Sequence, residues 1–143
     1  MKLYLDTSAL VKLYVEENGS PLVREAVADA ETVATSIIAY VEARAAFARC
    51  RRERRFSPGD YRRTIQDFNA DWEHCLLLEI TDSLIREAAE LSEVHALRAY
   101  DAIHLASAKA LGERLGEQVL FASWDSDLLA AAGREGLEPA QKN

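Results

Sequence analysis

Apolar positions along this chain alternate between short continuous runs and helical spacing. KLYL at 2–5 ends in Asp6-Thr7-Ser8, which predicts a first strand running directly into a helix entry. Ser20-Pro21 supplies an N-cap and an N1 proline for a helix over 21–29. The β-branched run at 32–35 predicts a second strand, and from Ser36 the spacing turns helical through Arg55. Ser57-Pro58-Gly59-Asp60 is another helix start, a capping-box variant with Asp60 at N3, and opens a helix over 58–73. The apolar run at 75–80 suits a buried parallel strand, after which Thr81 or Asp82 caps a helix over 82–93. A helix over 99–112, a strand at 118–122, a short helix from Ser126 to Arg134 closed by Gly136, and an edge strand at 137–139 complete the pattern.

Strands alternating with helices, without a strong hairpin signal, predict an α/β fold. The expected form is a three-layer α/β/α domain around a mainly parallel sheet of four or five strands. At 143 residues the chain is expected to form a single domain, residues 1–143. Its 49% apolar content is ordinary for globular proteins, and no run approaches the ~20 apolar residues of a membrane span. MKLYLDTSAL carries an aspartate where a secretion signal would be apolar, so the expected compartment is the cytoplasm. Cys50 and Cys75 lie far apart without CxxC spacing, which argues against both a disulfide framework and structural zinc and leaves them as helix-borne thiols.

The net charge of −7 argues against a protein that coats nucleic acid through bulk charge. Its distribution changes that picture. Residues 44–63 hold eight arginines against Glu53 and Asp60, a local balance of +6, while both flanking segments are acidic. Such a patch suits a phosphate backbone or an acidic protein; a solvated hairpin tip is the plainer alternative.

Candidate chemistry lies in four carboxylates: Asp6, Glu42, Asp101 and Asp125, separated by 36, 59 and 24 residues. That spacing rules out a contiguous ion-binding loop, so they converge through the fold or not at all. Asp6 directly follows the first strand, where ligands gather in open parallel sheets; it could equally cap the next helix. Glu42 sits among apolar helical positions, where an undirected carboxylate would be costly; pairing with Arg44 or Arg49 is the alternative. Asp101 stands near a helix N-terminus, with His104 one turn on, a histidine better read as packed or hydrogen-bonded than as a general acid. Asp125 follows the strand VLFAS, and Asp127 is read as an ordinary capping residue as readily as a ligand. Thr7, Ser8 and Ser123 are hydroxyls able to orient a carboxylate or bind phosphate. Such a cluster suits Mg²⁺, with Mn²⁺ as an alternative, which would neutralise a phosphodiester and activate a water for in-line attack leaving 5′-phosphate and 3′-hydroxyl ends. Arginines of the 49–55 region would position the backbone.

The segments LYLDTSALVKLY, IIAYVEARAAF, YDAIHLASA and SWDSDLLAAA, in this order, resemble the PIN-domain family of metal-dependent ribonucleases, most closely its bacterial toxin branch of VapC-like proteins. The resemblance implies an Mg²⁺-dependent endoribonuclease with Asp6, Glu42, Asp101 and Asp125 as its catalytic and metal-binding acids. It also implies an RNA substrate, a homodimer, and a cognate antitoxin whose C-terminal segment enters the groove. The arginine density of the hairpin departs from the family pattern and leaves open whether it meets RNA, antitoxin or a second subunit. A haloacid-dehalogenase-like phosphatase would need a second aspartate where Ser8 stands, and a response-regulator receiver would need paired acids and a strand-end lysine that Lys109 does not supply. The remaining alternative is a catalytically silent PIN-like module that binds RNA or protein.

Overall fold

The computed structural model describes residues 1–141. Its elements in chain order are β1 (Lys2–Leu5), α1 (Thr7–Val11), α2 (Ser20–Asp29), β2 (Thr32–Ser36), α3 (Ala39–Arg52) and α4 (Pro58–Trp72). They continue with β3 (Leu76–Leu78), α5 (Asp82–His95), α6 (Ala99–Leu115), β4 (Val119–Ala122), α7 (Ser126–Arg134) and β5 (Glu138–Pro139). The five strands form one sheet in the order β3-β2-β1-β4-β5, and every pairing is parallel. The α/β expectation therefore holds at its upper strand count.

β1 lies at the centre, which explains its unbroken apolar run. Successive side chains of a strand point to opposite faces. Leu3 and Leu5 accordingly enter one core, with Leu10, Val23, Phe47 and Phe68 from α1 to α4, while Tyr4 enters the other, with Leu84, Leu105 and Leu128 from α5 to α7. All three β1 residues are fully buried. The long apolar stretch of α6 has a similar cause: positions 102–108 are all buried, and the alanines and serine there let the helix lie close between sheet and neighbours.

Several boundaries differ from the sequence pattern, each for a local reason. Gly19, not Ser20, is the N-cap of α2; it takes φ +96°, and the buried Ser20 hydroxyl instead ties the preceding turn, accepting from Glu17 N at 2.9 Å and donating to Val15 O at 3.3 Å. Ser36 is the last residue of β2 rather than the start of a helix, because its backbone is paired opposite Leu78. The third strand is confined to Leu76–Leu78, and Cys75 belongs to the turn after α4, its thiol directed at Asp71 O. α5 and α6 run a few residues further than expected, to left-handed ends at Ala96 and Gly116.

The α3–α4 hairpin is anchored by rings. Phe68 meets Phe47 and Tyr14 edge-on, each with ring centroids 5.3 Å apart, and stacks with Tyr40 at 5.3 Å. Phe68→Ala is expected to destabilise the fold by about 3–5 kcal/mol, with loss of the native baseline for the hairpin; chemical denaturation of purified wild type and variant checks it.

Candidate active site

The sheet order reverses direction at β1, which is flanked by β2 on one side and β4 on the other. In open parallel sheets such a switch point leaves a crevice beyond the carboxyl ends of the strands. Here a cleft of about 520 Å³ opens at that place, lined by Asp6, Glu42, Asp101 and Asp125. The fold thus brings together all four acids singled out in the sequence. Asp127 does not line the cleft; it is an exposed residue in the first turn of α7.

Two of the acids also cap helices. Asp6 Oδ1 accepts from Ala9 N at 2.9 Å and from the Ser8 hydroxyl at 2.7 Å, making it the N-cap of α1. Asp125 Oδ1 accepts from Leu128 N at 2.9 Å, so Asp125 rather than Asp127 caps α7. Capping and cleft lining are therefore compatible in one side chain. The three hydroxyls divide the remaining work. Ser8 accepts from Trp124 N at 3.0 Å, tying the end of β1 to the loop after β4. Ser123, fully buried, accepts from Asp125 N at 3.0 Å, and Thr7 donates to Glu42 Oε1 at 2.7 Å.

Glu42 is not paired with Arg44 or Arg49. Its Oε1 is held by Thr7 and by His104 Nε2 at 2.9 Å, and the other ring nitrogen of His104 meets the Tyr4 hydroxyl at 2.7 Å. His104 is buried and hydrogen-bonded at both nitrogens, as the sequence reading favoured, and acts on the cleft by orienting Glu42. Burial pushes the Asp6 carboxyl above its ordinary range, against the opposing pull of His104, the Ser123 and Ser8 hydroxyls and Ala9 N–H. Burial works in the same direction on Glu42, but the bonds from His104 and Thr7 outweigh it and hold that carboxyl below its ordinary value.

Basic groups surround these acids. Lys12, Arg49 and Arg98 line the same cleft. Of the arginines at 49–55, only Arg49 does so; Arg55 approaches Glu17 at 3.9 Å, and Arg51 stacks on Tyr61 at 4.9 Å. Arg51 faces another hollow with Arg44 and Arg62, so most of the arginine patch lies away from the acidic cleft.

The donor set is entirely oxygen, which matches a hard divalent cation in chemistry. Neither Glu42 Oε2 nor Asp101 Oδ1 receives a hydrogen bond from the described residues, so each has an oxygen to offer. As the side chains stand, no three His, Cys, Asp or Glu groups among the described residues close around one point. A cation that keeps several waters needs fewer direct ligands than that, and the unbonded oxygens of Glu42 and Asp101, facing the same cleft, are chemically suited to one.

The PIN-domain family model matches residues 3–133. The chain belongs to the PIN-domain family. Two relatives, Ribonuclease VapC45 and Ribonuclease VapC49 from two strains of Mycobacterium tuberculosis, are each 34% identical to it over 141 residues, covering 97% of this chain and 96% of the relative. Among solved structures, a toxin–antitoxin complex from Klebsiella pneumoniae aligns with TM-score 0.66 and 18% identity over 99% of both chains. VapBC-1 from nontypeable Haemophilus influenzae aligns with TM-score 0.68 and 14% identity, covering 99% of this chain and 100% of that one. At such identities these structural likenesses show a shared fold.

Sequence reasoning on this PIN domain missed Lys12, Arg98 and Trp124 as cleft residues. Lys12 carried a weak signal, a lone cation on an apolar helical run, but its position over the Trp124 ring at 5.0 Å depends on tertiary packing. Trp124 is held in turn by Gly19, where an added Cβ would run into the indole ring.

Because folding raises the Asp6 pKa, this group favours the folded state most in acid, below its unfolded value, and that contribution is lost as pH rises through the folded value. At neutral pH its charge opposes folding. Asp6→Asn, which retains a capping oxygen, is expected to raise the stability of EDTA-treated protein at pH 7 by roughly 0.5–2 kcal/mol. The gain should shrink as the pH is lowered and wild-type Asp6 takes up its proton; thermal unfolding across a pH series measures both.

Proposed function

We propose that this PIN domain is an Mg²⁺-dependent endoribonuclease, with Mn²⁺ as an alternative ion, and that it serves as the toxin of a toxin–antitoxin pair. The observation carrying this reading is the convergence of Asp6, Glu42, Asp101 and Asp125 on one cleft, in a chain 34% identical over nearly its whole length to two ribonucleases. These four residues would hold the ion. When bound, it supplies the charge that neutralises a phosphodiester and lowers the pKa of a water.

The chain's own residues supply orientation. Ser8 and Ala9 N–H fix the plane of the Asp6 carboxylate, and Thr7 with His104 fixes that of Glu42. Lys12 and Arg49 place positive charge on the walls, where it draws in and aligns a phosphate backbone. RNA is the proposed substrate because both relatives are named ribonucleases.

An antitoxin partner is proposed from the Klebsiella neighbour, which is a toxin–antitoxin complex. Val41, Val94 and Tyr100 are exposed apolar side chains of the kind that protein partners cover, in keeping with an antitoxin and with a homodimer. A cytoplasmic location accompanies this reading, and no helix among the described residues is long and apolar enough to cross a membrane.

One observation favours a second reading, a PIN domain that binds without cutting: the acids do not close around one point, and Arg98 already bridges two of them. Cleavage assays separate the two. EDTA-stripped protein is incubated with structured and unstructured RNAs, with and without Mg²⁺ or Mn²⁺. Metal-dependent cleavage is expected, reduced by more than about 100-fold in Asp6→Asn and Asp101→Asn, and by roughly 10–100-fold in Thr7→Val, which removes one of the two bonds that orient Glu42. RNA binding without cleavage by folded wild type under every metal condition would support the silent module instead.

A further inference from the structure

Arg98 stands immediately before α6 and reaches across the cleft mouth. Its Nε donates to Asp101 Oδ2 at 3.0 Å and its Nη2 to Asp125 Oδ2 at 3.2 Å, so one planar guanidinium ties carboxylates from two separate elements. The helix start does not require this side chain. Arg98 caps α6 through its backbone, its carbonyl accepting from Ala102 N at 3.0 Å, with no side-chain cap bond.

The other lysine and arginine groups lining the cleft pair with acids outside the set of four. Lys12 Nζ is 3.0 Å from Glu17, and Arg49 approaches Glu53 at 3.8 Å. Glu17 lies on the cleft wall as well, so the cleft holds two such pairings, but among the described residues Arg98 is the lysine or arginine paired with any of Asp6, Glu42, Asp101 and Asp125. Four carboxylates around one cleft repel one another, and a positive group set between two of them relieves part of that repulsion.

We propose that Arg98 is a built-in counter-cation of the metal-free cleft, neutralising Asp101 and Asp125 until a divalent ion displaces it, and thereby setting metal affinity from within the chain. This rests on the reading of the cleft as a cation site. A guanidinium stays protonated at any working pH, so it leaves by displacement and not by losing a proton. Its side chain is 79% exposed, which makes the bridge weak enough to yield and allows the arginine to swing outward without unpacking the core.

The test is Mn²⁺ titration calorimetry on EDTA-stripped full-length wild type, Arg98→Gln and Arg98→Lys, with thermal unfolding of each metal-free protein. Arg98→Gln should bind Mn²⁺ about 2–10-fold more tightly than wild type, yet melt lower without metal. Arg98→Lys should fall between them, since an ammonium cannot span both carboxylates as the planar fork does. Wild type and Arg98→Gln binding Mn²⁺ equally, or Arg98→Gln binding more weakly, would overturn the counter-cation role while leaving the metal site intact. Absence of Mn²⁺ binding in all three folded proteins would overturn the cation site, and this inference with it.

Discussion

Four carboxylates gathered at one end of a parallel sheet repel one another, and the elements around this cleft are arranged to bear that repulsion. Asp6 is held by a backbone N–H and a serine hydroxyl, Asp125 by the first turn of α7, Glu42 by threonine and histidine, and Asp101 by Arg98. Asp6 and Glu42 have supports of their own, while Arg98 reaches Asp125 as well as Asp101. Loss of Arg98 would therefore loosen two of the acids and leave the hydrogen bonds of Asp6 and Glu42 in place.

Several side chains serve structure and site together. One oxygen of Asp6 closes the N-terminus of α1, so the residue that begins the cleft also begins the helix that walls it. Glu42 gives one oxygen to Thr7 and His104 and leaves the other without a hydrogen bond from the described residues. His104 links this carboxylate to Tyr4 at the centre of the sheet, so the most deeply buried strand fixes the orientation of a residue on the cleft wall. The raised pKa of Asp6 is the cost of this placement: burial that gives the group a dry setting also disfavours its charge.

Much of this was legible in the sequence. KLYL followed by aspartate, and VLFAS followed later by aspartate, are strand-end acids whose convergence follows from parallel topology, and Ser57-Pro58 and Thr81 proved to be helix caps as their residue types suggested. What remained hidden depends on approach across the fold. The deviation at Ser20 came from a buried hydroxyl finding partners in the preceding turn, and the shortened third strand from where β2 ends. Arg98 carried no signal in the sequence, because its bond to Asp125 spans 27 residues. The arginine-rich hairpin read as a single patch, but helical periodicity sends Arg49 to the cleft and Arg44 and Arg51 to another hollow.

If these four acids form one cation site, anomalous diffraction from crystals soaked in Mn²⁺ will find the ion among them. The expected result is an anomalous peak within coordination distance of at least two of Asp6, Glu42, Asp101 and Asp125, with water completing the shell. A cleft without a peak at saturating Mn²⁺, or a peak held only by acids elsewhere on the surface, would contradict it.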